Sequence, residues 1–215
     1  MTIIIIFVIY IMIRVKPGET EIFGETMRVT KEKAAEHRER MLYAASRLFR
    51  ERGFDGVGIP EIARAADLTH GAFYTHFKSK DALCAEALGC AIDQKLEPLA
   101  RAGAGPGALK MFVNYYLSEP QVTRFGEGCP IAGLGGETAR QPKAVRSAFE
   151  RALKRFVGAV APLFSAKAAK REHQKTLAAI AMLVGGVILA RAVEDDAYRS
   201  EILDAVRHAA LDAAE

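Results

Sequence analysis

Along most of the chain, apolar positions repeat with the period of an α-helix rather than that of a strand. Within residues 30–52, five of them mark one stripe of an amphipathic helix, at i, i+1, i+4, i+7 and i+8: Met41, Leu42, Ala45, Leu48 and Phe49. Thr30 is predicted to be the N-cap of this helix and Gly53 the residue that ends it.

Two short helices are predicted next, at 59–66 and 70–77, separated by the tight turn Asp67-Leu68. Ser79 is predicted to cap a longer helix over 80–99. A short helix, a turn and a second short helix form the helix-turn-helix layout, whose second helix can enter a major groove. Small and apolar residues supply its predicted core: Ile62, Ala63, Ala65, Ala66, Leu68 and Phe73.

Beyond the glycine-rich break at 103–107, the pattern is again helical, and 118–128 is predicted to be a loop. The predicted helices are 108–118, 130–140, 142–164, 168–193 and 198–213. The chain is therefore expected to be all-α. The run 180–193 is apolar on nearly every side, so we expect it to be buried all round, in a dimer interface or as a central core helix.

The net charge of +4 is unevenly placed, because residues 27–80 carry 11 Lys and Arg against 7 Asp and Glu. Such a local excess is typical of phosphate binding, although a solvated helix face explains it nearly as well. No phosphate-binding loop, nucleophile elbow or HExxH pair is present, so we expect no enzyme activity, cofactor or metal. Three cysteines are too few for a disulfide framework and fit a reducing cytoplasm.

The first 26 residues differ from the rest. An apolar run of 11 residues, 3–13, falls short of the roughly 20 that span a bilayer as a helix. We interpret 1–26 as a disordered extension or a mis-assigned start. A short added strand or a membrane-touching segment remains the alternative, and no stable membrane association is expected.

The segment 54–83 resembles the DNA-binding motif of the tetracycline-repressor (TetR) family. The matching pieces are Gly53-Phe54, Ile62-Ala63, LTHGAFYTHF at 68–77 and SKDAL at 79–83, with Ala44, Ala45, Leu48 and Phe49 similar to the family's first helix. GCPIAGLGGE at 128–137 is similar to one branch of the family's sensor domains. The resemblance implies a DNA-binding domain over 27–100, with its motif at 59–78, and a helical ligand-sensing and dimerisation domain over 101–215.

The resemblance also implies site residues. The start of the recognition helix would approach bases and phosphates, two later side chains would face the DNA, and a lysine would contact phosphate: Thr69, His70, Gly71, Ala72, Tyr74, His76 and Lys80. Phe73 and Phe77 are expected in the core. Two positions depart from the family pattern: Gly58 stands where Ser or Thr is usual, and Asp67 replaces the usual turn glycine.

The partners implied are an operator in double-stranded DNA, a small-molecule inducer of unknown identity and a second copy of the chain. The predicted inducer pocket is lined by Phe112, Tyr115, Tyr116, Cys129, Phe149 and Phe156, with Met111, Leu153 and Met182 as further candidates. Cys129 precedes Pro130 at a predicted helix start, a place where reactive cysteines are found. An alternative hypothesis is therefore a repressor switched by electrophiles through Cys129; the other reading is an inert, buried cysteine.

Overall fold

The computed structural model describes residues 19–102, 105, 107–164 and 170–213, with side chains from residue 30 onward except at 101–102. Within these ranges the chain forms ten α-helices and one 3₁₀ turn, and no strand. The helices are α1 (Glu19–Arg52), α2 (Ile59–Ala65), α3 (His70–His76), α4 (Lys80–Ala102), α5 (Ala108–Tyr116), α6 (Glu119–Thr123), α7 (Pro130–Thr138), α8 (Lys143–Phe164), α9 (Lys170–Ala192) and α10 (Asp196–Asp212). The all-α prediction is confirmed.

The described residues divide into two compact units, with the boundary between Arg40 and Met41. In the first unit the structure describes a helix from Glu19, so the prediction that Thr30 begins the helix is wrong. The residues before Thr30 include good helix formers, and a threonine inside such a run does not end it. Residues 1–18 of the predicted extension lie outside the described residues, and its nature stays a prediction.

One buried cluster in the unit 41–215 holds the two short helices. It contains Met41, Phe49, Phe54, Ile62, Phe73 and Leu83, all buried to within 1%. The predicted helix-turn-helix core is confirmed for Ile62, Ala63 and Phe73, and Leu68 packs against it partly buried. Ala66 is buried but Ala65 is exposed, since one residue along a helix turns the side chain by about 100°.

A second buried cluster joins α5, α8, α9 and α10, with Val113, Val160, Leu183 and Val187 at its centre. The predicted helices of this half are found, with most ends shifted by a few residues. The predicted loop 118–128 instead contains α6 and a 3₁₀ turn at Phe125–Glu127. Pro120 in the first turn of α6, after Ser118, is a helix-start pattern that explains the difference.

Within the single chain the run 180–193 is not buried all round, so the alternative of a central core helix is wrong and burial in a dimer interface stays a prediction. Gly186 packs against Val206 of α10, but Gly185 has no neighbour within 4 Å of an added Cβ among the residues described. An apolar stripe on the same helix lies in solvent: Leu177, Ala181, Ile188, Leu189 and Ala192. By length and composition alone α9 would also pass for a membrane span, a test that core helices of soluble proteins pass as well.

Candidate DNA-reading surface and sensor cavity

The turn between α2 and α3 is closed by backbone hydrogen bonds. The Leu68 N–H donates to the Ala63 carbonyl at 2.9 Å, and Asp67 adopts a left-handed conformation with φ of 52°. This conformation is one that Asp tolerates better than most residues, which explains how Asp67 substitutes for the family's turn glycine. Gly53, with φ of 77°, ends α1 as predicted.

The N-caps of α2, α3 and α4 differ from one another. Ser79 caps α4, because its Oγ accepts a hydrogen bond from the Ala82 N–H at 3.1 Å. Thr69 occupies the N-cap of α3 in an extended conformation, but its side chain makes no capping hydrogen bond and is exposed. Gly58 is the N-cap of α2 and has no side chain to offer. The Thr69 hydroxyl is thus left at the protein surface.

The outward face of α3 is narrow. His70, Gly71, Tyr74 and Thr75 are exposed, with 65% of Tyr74 in solvent. Their spacing of i, i+1, i+4 and i+5 is that of one helical stripe. Sequence reasoning missed Thr75, although its position four residues after Gly71 was the available signal.

The opposite face of α3 is the core, where Phe73 and Phe77 stack with ring centroids 5.8 Å apart. Their predicted core role is confirmed. Of the remaining predicted contacts, Ala72, His76 and Lys80 are half-buried. The His76 ring lies edge-on to Phe77 at 6.4 Å, so it is turned away from the most exposed part of the helix.

An apolar cavity of about 250 Å³ lies among α4, α5, α6 and α8. Five of the six predicted pocket residues line it: Phe112, Tyr115, Tyr116, Cys129 and Phe156. Met111 lines it too. Phe149 is not among the lining residues and instead packs against Gly135 of α7; Leu153 and Met182 pack against the second buried cluster.

Two polar lining residues were missed by sequence reasoning, Lys95 of α4 and Gln121 of α6. Lys95 stands three residues after the buried Ile92 and four before Leu99, on the apolar stripe of α4. A charged residue on such a stripe was a sequence signal for a functional side chain. Gln121 fell in a segment predicted to be a loop. Its side chain is 6% exposed.

Cys129 is the N-cap of α7 and is 3% exposed. Three cations lie within electrostatic reach of its sulfur, and burial lowers the pKa of each of them: Arg50, Lys95 and Arg191. Burial, followed by the neighbouring Cys129, raises the pKa of Tyr116 well above its usual value. The phenol therefore stays protonated and able to donate at neutral pH.

The cavity wall is tied to the helix-turn-helix through both ends of α7. At the start of α7, Nη1 of the buried Arg50 in α1 donates to the Gly128 carbonyl at 3.1 Å, while its Nη2 donates to Gln94 Oε1 at 3.0 Å. At the other end, the Glu137 carboxylate accepts from the Phe54 N–H at 2.9 Å and the Asp55 N–H at 3.2 Å. One short helix thus spans from Cys129 to the loop that precedes α2.

In the described part of the chain, no group of three or more His, Cys, Asp or Glu side chains is placed to hold a metal ion. All three cysteines are free, and burial raises the pKa of Cys84 to about 12. A compact helix-turn-helix with an exposed reading face, carried on a helical body, defines a DNA-binding protein of the helix-turn-helix class.

Comparison with known proteins agrees with this class. The profile described as bacterial regulatory proteins, tetR family, matches residues 41–87, and that of the LmrA/YxaF-like transcriptional regulator C-terminal domain matches 107–206. The chain is 30% identical over 148 residues to the transcriptional repressor NemR of Escherichia coli, covering 66% of this chain and 73% of NemR. It is 27% identical over 159 residues to the regulator LmrA of Bacillus subtilis, covering 71% and 85% of the two chains.

Solved structures show the same fold. The reduced form of E. coli NemR aligns with a TM-score of 0.65 at 22% identity over 81% of this chain and 94% of that one. A TetR regulator from Legionella pneumophila aligns with a TM-score of 0.68 at 17% identity, covering 81% and 95%. The chain belongs to the TetR family of transcriptional regulators, as its sequence motif indicated.

Proposed function

We propose that the protein is a cytoplasmic, dimeric repressor that leaves its operator when a small-molecule inducer enters the cavity beside Cys129. The observation that carries this proposal is the continuity of α7, which forms part of the cavity wall at Cys129 and holds the loop before α2 through Glu137. A ligand that prefers one position of α7 would shift the equilibrium between two arrangements of the two helix-turn-helix motifs in the dimer.

The proposed reading residues are the exposed face of α3, with Lys80 beside it: Thr69, His70, Gly71, Tyr74, Thr75 and Lys80, with Ala72 and His76 at its edges. Gly71 supports the proposal. An added Cβ would meet only the Thr69 Oγ1, at 4.0 Å, so packing among the described residues does not require glycine there. Close approach of DNA to the start of α3 would instead favour a residue without a side chain at this position.

The proposed dimer interface is the exposed apolar stripe of α9 together with α10. Leu177, Ile188 and Leu189 are 41–56% exposed, and the open side of Gly185 leaves room for another helix. A two-fold dimer would place the recognition helices about 34–36 Å apart, or a multiple of that spacing. Selection of bound DNA from a random pool would give the half-site spacing and the operator together.

Lys80→Ala tests the DNA-binding half of the proposal. If Lys80 contacts phosphate, the substitution weakens binding to all sequences alike and lowers the slope of log K against log salt by about one unit. Fluorescence anisotropy with the selected operator and a scrambled duplex at several salt concentrations measures both quantities. Lys143→Ala, an exposed lysine on α8, is the matched control; an equal loss in both variants would contradict the assignment.

A second candidate function is an electrophile-switched repressor, supported by the position of Cys129 in the cavity wall. The solved NemR relative is described as a reduced form, so redox state is a variable of that protein. In this candidate the Cys129 sulfur would add to an activated double bond: a C–S bond forms, the π bond breaks, and the thiol proton passes to the adjacent carbon.

Under this second candidate, N-ethylmaleimide releases the wild-type protein from its operator but leaves the Cys129→Ser variant bound. Cys90→Ser is the matched control, because Cys90 is a half-buried free cysteine outside the cavity lining. Gel shift after treatment and mass spectrometry of the modified peptide measure release and the site of addition. Release of Cys129→Ser to the wild-type extent would exclude the thiol switch and leave non-covalent induction.

A further inference from the structure

Two polar side chains of the cavity lining, Tyr116 and Lys95, carry donors that meet no acceptor among the described residues. Most of the lining is aromatic or aliphatic, including Leu99, Phe112, Phe156 and Leu163. The cavity volume is about 250 Å³. The cavity therefore suits a small amphipathic molecule.

Tyr116 is the first of these donors. Its side chain is 4% exposed and lines the cavity, and its Oη makes no hydrogen bond to the described residues. The Cys129 sulfur is the polar neighbour that acts most strongly on the hydroxyl, but it is a weak acceptor and the geometry between them is not that of a hydrogen bond. Native proteins leave few buried polar atoms without a partner, because the hydrogen bonds that each atom made to water are then lost without replacement. An acceptor on a ligand would remove that cost.

Lys95 is the second donor. It is half-buried in the cavity lining and makes no hydrogen bond or ion pair to the part of the chain that the structure describes. Glu127, the acid that acts on it electrostatically, forms its ion pair with Arg124 at 3.5 Å. The ammonium group is thus available to an anion in the cavity.

Two arginines outside the cavity lining, the buried Arg50 and the half-buried Arg191, add positive charge near Cys129 without carboxylate partners. Arg50 is 5% exposed and donates to carbonyl and amide oxygens only. Arg191 donates to the Gln121 carbonyl and lies over the Phe125 ring at 4.9 Å, and its buried Nε makes no hydrogen bond in the described structure. Cations withdrawn from water without counter-ions are unfavourable, and an anion in the neighbouring cavity would offset part of that penalty.

We propose that the inducer is a small monocarboxylate with an apolar body. Its carboxylate accepts a hydrogen bond from Tyr116 Oη and pairs with Lys95, and its body fills the space between Phe112 and Phe156. This inference rests on the proposed inducer-binding function. A carboxylate fits better than a neutral polar group, because only an anion meets both the unpaired phenol and the uncompensated cations.

Calorimetric titration of the full-length protein tests the proposal with matched pairs of probes. Benzoate is compared with benzamide and octanoate with octanamide, since acid and amide have the same size and differ in charge. We expect at least one acid to bind about tenfold or more tightly than its amide, the effect of one charge-assisted hydrogen bond. Amides that bind as tightly as the acids would overturn the proposal.

Variants assign the effect to residues. Lys95→Met should reduce the preference for acid over amide to a few-fold, and Tyr116→Phe should weaken acid binding about tenfold while leaving amide binding less affected. Lys143→Met, remote from the cavity lining, should behave as the wild type. Undiminished preference for the acid in both Lys95→Met and Tyr116→Phe, with helicity retained by circular dichroism, would also overturn the proposal.

The two levels of inference fail differently. If a neutral compound releases the operator and no carboxylate binds, the carboxylate inference is overturned while the inducer-binding function stands. If carboxylates bind in the predicted pattern but neither they nor any other compound releases the operator, the ligand class is supported and the repressor-release mechanism is contradicted.

Discussion

Replacing Phe73 with Ala is expected to lower the free energy of unfolding by about 3–5 kcal/mol. Phe73 is 0% exposed and lies at the centre of the helix-turn-helix core, stacked on Phe77 and close to Ile62 and Leu83 in the same cluster. Its removal loses apolar burial and leaves a cavity that short helices close only in part. Urea unfolding followed by circular dichroism at a fixed protein concentration measures the change.

The neighbouring Tyr74 is the matched control for Phe73. It is an aromatic residue of the same helix, but 65% of it is exposed, and its ring lies edge-on to those of His70 and Phe73 with centroids 5.5 and 5.0 Å away. Tyr74→Ala should change the free energy of unfolding by about 1 kcal/mol or less while weakening operator binding about tenfold. Equal losses of stability in the two variants would contradict the division of α3 into a core face and a reading face.

The helix-turn-helix was predictable from sequence because its determinants are local. The apolar spacing of Ile62, Ala63 and Phe73, the cap at Ser79 and the turn at Asp67 all lie within a few residues of the structure they specify. A local signal also existed for α6, which was predicted to be a loop: Pro120 in its first turn is typical of a helix start.

The polar framework around the cavity was not predictable in the same way. Arg50 meets the Gly128 carbonyl 78 positions away, and Glu137 meets the Phe54 N–H across 83 positions. No periodicity or motif reports on such pairs, because they form only when several helices have packed. The exposed stripe of α9 shows a related limit: sequence records that Leu177 and Ile188 are apolar, but not whether the same chain or a second one covers them.

Glu137→Ala is expected to uncouple the cavity from the DNA-reading surface. The Glu137 carboxylate holds the backbone N–H groups of Phe54 and Asp55, next to Gly53 in its left-handed conformation. Without these charge-assisted hydrogen bonds, we expect movement of α7 to be passed much less effectively to the loop before α2. Coupling free energies between sites are typically about 1–3 kcal/mol, or about 5–150-fold in affinity. The variant should lose most of the coupling.

Operator anisotropy with and without a saturating compound that releases the wild-type protein measures this coupling, and calorimetry gives ligand affinity without DNA. For Glu137→Ala we expect the two operator affinities to converge while ligand affinity changes by no more than a few-fold. Glu137→Gln keeps one neutral acceptor, so its ratio of the two operator affinities should lie between those of Glu137→Ala and the wild type. Glu150 is exposed on α8, and Glu150→Ala should have the wild-type ratio. If Glu137→Ala retained the wild-type ratio of operator affinities, the signal would have to pass from the cavity by another route. Arg50 offers one through its hydrogen bonds to Gly128 and Gln94. Apolar packing offers another, because helices that line the cavity also supply residues of the first buried cluster, among them Leu134, Val145 and Ala148.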